Sequence, residues 1–128
     1  MELITMLTLK QLILLIITGL VAGFVSGTLG VGGAIIIIPF LVYILGMSQH
    51  EAQGTSLMVL VFPVGIFALL NYAKQGYVNF KYAVIIIIAF MISSYFGSKL
   101  AIKLPEKTLQ KIFGVLLLAV SIKILSGK

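Results

Sequence analysis

Apolar residues in this chain come in long uninterrupted blocks, and polar residues are confined to the gaps between them. Five blocks stand out, at 11–29, 33–45, 54–72, 82–98 and 108–125. A helix needs about 20 residues to cross a hydrocarbon core of about 30 Å. The first, third and fourth blocks are long enough alone, and the fifth becomes so once Lys111 and Lys123 reach outward to the interface. The second block is too short. As a helix it would rise only about 20 Å, and Pro39 sits in its middle, leaving the carbonyl of Ile35 without its amide partner. A short, proline-interrupted block after a glycine cluster predicts a broken or re-entrant helix.

The gaps are brief. Residues 46–53, with Ser48, Gln49, His50 and Glu51, read as a loop leading into a capped helix. Residues 73–81 form a polar turn, and Leu104-Pro105-Glu106-Lys107 separates the last two blocks, since Pro105 cannot continue the helix before it. The pattern predicts an all-α integral membrane protein, one transmembrane domain over residues 1–128. It has four to five transmembrane helices, or four crossings and a half-helix, with a glycine-broken or re-entrant segment.

Composition turns this pattern into a statement about solvent. Hydrophobic residues make up 61% of the chain and charged residues 9%, where a soluble domain carries roughly 25% charged. A chain this small buries only about two-thirds of its surface on folding, so most of these side chains have lipid as their solvent. A soluble enzyme is excluded. Lys10 and the apolar stretch after it superficially resemble a signal peptide. There is no small-x-small cleavage signal at the right place, and four more apolar blocks follow, so this stretch reads as the first membrane segment.

Charge adds a second constraint. The net charge of +6 rests on nine lysines, with no arginine, aspartate or cysteine. The lysines flank the apolar blocks singly or in pairs, as anchors that snorkel to headgroups do. They form no basic patch of the kind nucleic acid requires. With five crossings, Lys10, Lys99, Lys103, Lys107 and Lys111 fall on one side of the membrane and the other four on the opposite side. With four crossings and a half-helix the split is again five to four, so neither arrangement imposes an orientation.

The stretch with the most chemical content is Ser26-Gly27-Thr28-Leu29-Gly30-Val31-Gly32-Gly33. Unwound backbone at membrane depth exposes N–H and C=O groups that protein, water or ligand must satisfy. The helix starting after it would present a partly positive N-terminus to an anion. Ser26, Thr28, Gly30, Gly32 and Gly33 are therefore candidate substrate contacts; the alternative is a tight turn that only lets two helices pack. Thr55 and Ser56, in Gly54-Thr55-Ser56, either line a polar cavity or bond back to their own helix. Gly19, Gly23 and Gly27, spaced by four, read as a packing face, as do Ser93, Gly97 and Ala101. His50 beside Glu51 reads as a helix start or a proton-sensitive pair. The glycine cluster lacks the Gly-Lys-Ser/Thr of a phosphate loop. With one histidine and no paired acids, metal hydrolysis and general acid–base catalysis lack their parts, and no cofactor or metal is expected.

The ordered motifs Gly-Thr-Leu-Gly-Val-Gly-Gly-Ala-Ile-Ile-Ile-Ile-Pro (27–39) and Gly-Met-Ser-Gln-His-Glu-Ala-Gln-Gly-Thr-Ser-Leu (46–57) resemble the repeat unit of the TauE/SafE family. This family is also called the sulfite exporter or toluene-sulfonate uptake permease family. Lys-Gln-Gly-Tyr-Val-Asn-Phe (74–80) and Phe-Gly-Ser-Lys-Leu-Ala-Ile-Lys-Leu-Pro (96–105) extend the likeness. The resemblance implies a permease for sulfur-containing anions such as sulfite or organosulfonates. Typical members carry the glycine-rich unit twice, and this chain carries it once. That implies a half-transporter that pairs with a second copy or with a different half. The balanced lysines and the glycine stripe favour a homodimer of antiparallel copies. The expected partners are thus the lipid bilayer, a small anion and a second copy. Two alternatives stand beside this reading. One is a non-transporting membrane subunit that scaffolds a partner. The other is a small multidrug-type exporter, which needs a membrane-embedded carboxylate and would have only Glu51 to supply it.

Overall fold

A computed structural model describes residues 8–30 and 33–127. Among the described residues the elements are α1 (Leu9–Leu29), α2 (Ala34–Tyr43), α3 (Gln49–Val61), α4 (Ile66–Lys74), α5 (Phe80–Lys103) and α6 (Glu106–Leu125). No strand occurs among them, as the block pattern predicts.

Local chemistry sets most boundaries. Thr8 and Gln11 form a reciprocal capping box at the start of α1. That helix stays regular through Leu29 and ends on Gly30 in the left-handed region (φ 68°), whose N–H donates to the Ser26 carbonyl at 2.7 Å. The break is therefore narrower than the glycine spacing suggests, because Gly27 and Thr28 remain helical. Gly33, also left-handed (φ 82°), starts α2. This helix runs through Pro39 to Tyr43 instead of stopping at the proline. Its ten residues rise about 15 Å, half a bilayer core.

Two expectations are corrected beyond α2. The loop before α3 is shorter than 46–53, because Ser48 caps a helix that already begins at Gln49. The Ser48 hydroxyl accepts from the Glu51 N–H and donates to the Glu51 carboxylate, both at 3.1 Å. His50 and Glu51 thus lie in the first helical turn, where a carboxylate favours the helix dipole. The third block, expected to cross as one helix, is broken. Phe62 is extended, as a residue before proline tends to be, and Pro63 cannot donate to the helix behind it. The chain restarts at Gly65 as α4, bent by 52° from α3. Counting that bent pair as one span, four segments among the described residues are long and apolar enough to cross a membrane, with α2 as an additional half-length helix.

The chain divides into two compact units, Met1–Val78 and Asn79–Lys128. In the first, α2 is the centre and packs on both α1 and α3. Its buried Ile37, Ile38 and Leu41 share this core with Thr18 and Ala22 of α1 and Gln49, Ala52 and Ser56 of α3. Thr18 returns its hydroxyl to the Leu14 carbonyl (2.7 Å), and Gln49 bonds Gln53 (3.0 Å), so these buried polar groups are satisfied.

The second unit holds α5 and α6 and has almost no core; Leu109 is its buried residue. Ile85, Ile86, Ile87 and Ile88 are all more than half exposed. In water each such side chain would forgo about 1.5–3 kcal/mol of burial; lipid imposes no such cost. Ser94 and Ser98 bond back to the carbonyls of Met91 and Tyr95, as serines in apolar helices do. Lys99 places its ammonium 4.6 Å from the centre of the Tyr95 ring.

Candidate functional site

Both helix breaks of the first unit open onto one cavity of about 230 Å³. Gly19, Gly23, Ser26 and Gly27 of α1 form one wall, and Gly33 and Ile37 bring the start of α2 to it. Val59 and Leu60 end α3 against it, and Val64, Gly65 and Ala68 supply the second break and the start of α4. The cavity begins halfway along α1, at Gly19, and reaches its last turns.

Within this chain the glycine stripe faces open space. A Cβ added at Gly19 or Gly23 would meet nothing within 4 Å, and one at Gly27 only the Ala68 methyl at 3.9 Å. Among the described residues no helix backbone approaches Gly19 or Gly23. The stripe forms a cavity wall, with the missing side chains providing the space.

Four helix ends therefore meet one space. No side chain caps α2 or α4, and a helix N-terminus carries about half a positive charge and unsatisfied donors. Ser26 adds a half-buried hydroxyl that makes no hydrogen bond among the described residues, unlike Thr18 and Thr28, which bond back to their own helix. Among the described residues no ionisable side chain lines the cavity. Attraction for an anion would come from backbone dipoles and a hydroxyl.

Of the candidate residues named from sequence, the cavity brings together Ser26 and Gly33. Thr28 is exposed, and its hydroxyl bonds the carbonyls of Phe24 (3.0 Å) and Val25 (3.1 Å). Gly30 is exposed as the cap of α1, and Gly32 lies outside the described residues. Thr55 is exposed on α3, off the cavity wall. Ser56 is buried one turn before Val59 and Leu60, and its Oγ has no hydrogen-bond partner among the described residues. Sequence reasoning missed Pro63 and Gly65, although a proline and a glycine two residues apart inside an apolar block are a legible break signal. It also missed Tyr72 of α4, whose hydroxyl donates to the carbonyls of Gly27 (2.8 Å) and Thr28 (3.3 Å). That bond ties the second broken helix to the end of α1 and has no local signal, its partners being 44 and 45 residues away.

Residues 5–124 match the family described as sulfite exporter TauE/SafE. The chain belongs to the TauE/SafE family. Three relatives named as probable membrane transporter proteins agree with this. One, from Xylella fastidiosa, is 32% identical over 95% of this chain and 47% of its own length. Another, from Methanocaldococcus jannaschii, is 33% identical over 83% of this chain and 42% of its own length. A Bacillus subtilis protein so named is 28% identical over 88% of this chain and 44% of its own. The chain thus spans about half the length of the curated relatives it matches. No solved structure matches it. Like other TauE/SafE proteins it is a multi-pass membrane protein, and the two helix breaks fall within the family match.

Proposed function

We propose that this TauE/SafE chain is half of a secondary transporter for small sulfur-containing anions, such as sulfite or organosulfonates, completed by a second copy of itself. The observation that carries the reading is the cavity between the two breaks. Uncapped N-termini of α2 and α4 line it, and so does Ser26, whose hydroxyl makes no hydrogen bond among the described residues. Discontinuous helices whose positive ends meet at mid-membrane are a recurrent way to hold an anion without a lysine. The cavity's size suits a sulfur oxyanion with a small apolar substituent against Ile37, Val59 and Leu60. The family description and the names of the relatives support transport as the activity. The balanced lysines support pairing of two such units in opposite orientations. Flux of radiolabelled sulfite and toluenesulfonate into proteoliposomes holding only this chain tests the reading. Saturable uptake is expected, with a crosslinked dimer as the transporting species. Vesicles no leakier than protein-free controls would instead make the chain a non-transporting subunit.

A further inference from the structure

We propose that the cavity also binds a small monovalent cation, sodium, held by the carbonyl oxygens of Val59 and Leu60 with the Ser26 hydroxyl, and that cation and anion bind together. The inference rests on the anion-carrying reading above and adds the coupling ion to it. It begins with backbone accounting at the end of α3. The Val59 carbonyl would accept from the residue four places on, but that residue is Pro63, which has no N–H. The Leu60 carbonyl would accept from Val64, but the Val64 N–H turns back to the Phe62 carbonyl at 2.6 Å. Both residues line the cavity, so two residues whose carbonyls have lost their helical donors border the same space as Ser26. The end of α1 is different: Tyr72 occupies the Gly27 and Thr28 carbonyls with its hydroxyl. The break thus leaves its acceptors unfilled on α3 and fills them on α1.

An apolar setting makes unfilled carbonyls costly. It also makes a lone anion costly, and among the described residues no ionisable side chain lines the cavity to neutralise one. A cation at the α3 carbonyls answers both needs, and neutral oxygen donors without a carboxylate suit a monovalent ion better than a divalent one. A proton has no carrier on these walls, since no aspartate, glutamate or histidine is among the lining residues.

The test uses the full chain purified in detergent. Its thermal midpoint is followed in sodium chloride and in choline chloride at equal ionic strength, with sulfite and toluenesulfonate added as choline salts. Sodium is expected to raise the midpoint saturably, and each anion to bind about tenfold more tightly in sodium than in choline, with the reciprocal effect on sodium required by linkage. Ser26→Ala should weaken the sodium response. Pro63→Ala, which gives the Val59 carbonyl an N–H, should abolish it. Equal anion responses in the two salts overturn the sodium site and leave the anion reading standing. A sodium response without any anion response overturns the anion reading and the coupling built on it. A sodium response undiminished in both variants overturns the assignment of its ligands.

Discussion

Residues 8–78 and 79–127 are both strongly apolar, yet they fold by opposite rules. The first region ends one helix at Gly30 and another at Phe62, buries a small core around α2 and lines an open cavity. The second runs two long helices without a break and buries little besides Leu109. In lipid an unbroken helix satisfies its own backbone, so its side chains are free to be any apolar residue. A broken one must find other partners for its freed groups. Here these are Tyr72 on the α1 carbonyls, the left-handed glycines at the caps and, in our proposal, the transported ions. The difference teaches where to look for chemistry in such a chain: at the positions that give up helical hydrogen bonds, not at the most conspicuous apolar blocks.

The sharpest way to break this comparison is to exchange glycines across it. Gly33→Val forces a β-branched side chain into a left-handed conformation, and its Cβ would stand 3.7 Å from the Ala22 carbonyl oxygen. We expect it to abolish flux and to cost about 1–2 kcal/mol in detergent unfolding. Gly114→Ala in α6 meets nothing within 4 Å and should stabilise by about 0.5–1 kcal/mol with flux unchanged. Comparable losses at both positions would erase the distinction between the regions.

A second exchange separates cavity from packing. Gly23→Leu enters open space, so thermal stability should stay within about 0.5 kcal/mol of the parent. Flux should fall at least about tenfold, because the side chain fills the cavity. If stability collapses with flux, the stripe is a packing face after all.

Smaller effects sharpen the picture. Tyr72→Phe removes the hydroxyl bonded to Gly27 and Thr28 and should cost about 0.5–1.5 kcal/mol. Hydrogen exchange should quicken at the Gly30 amide, which closes the last turn of α1 on Ser26. The matching change in the second region, Tyr95→Phe, keeps an aromatic face for Lys99 and should change stability by less than about 0.5 kcal/mol. An equal shift from the two tyrosines would show that the α4–α1 bond contributes nothing particular.

Much of this molecule was legible from the order of residues alone. Membrane location, helical class and the half-length second helix followed from block lengths and composition, because the bilayer accepts only helices of sufficient length or closed barrels. A helix starting at Gly33 followed from the glycine cluster before it, glycine being free at positive φ. One reading failed for an identifiable reason. The third block looked continuous because its length was weighed before Pro63 and Gly65.

What the sequence determined by itself, then, was where the backbone can and cannot remain helical, for that depends on each residue and its near neighbours. Tertiary structure alone decided that the two breaks face one cavity, that Ser26 and Gly33 line it while Thr28 and Thr55 do not, and that Tyr72 reaches across to α1. These are relations between residues far apart in the chain, set by how α1 and α3 pack on α2 and how α4 reaches the end of α1, and no local preference encodes them.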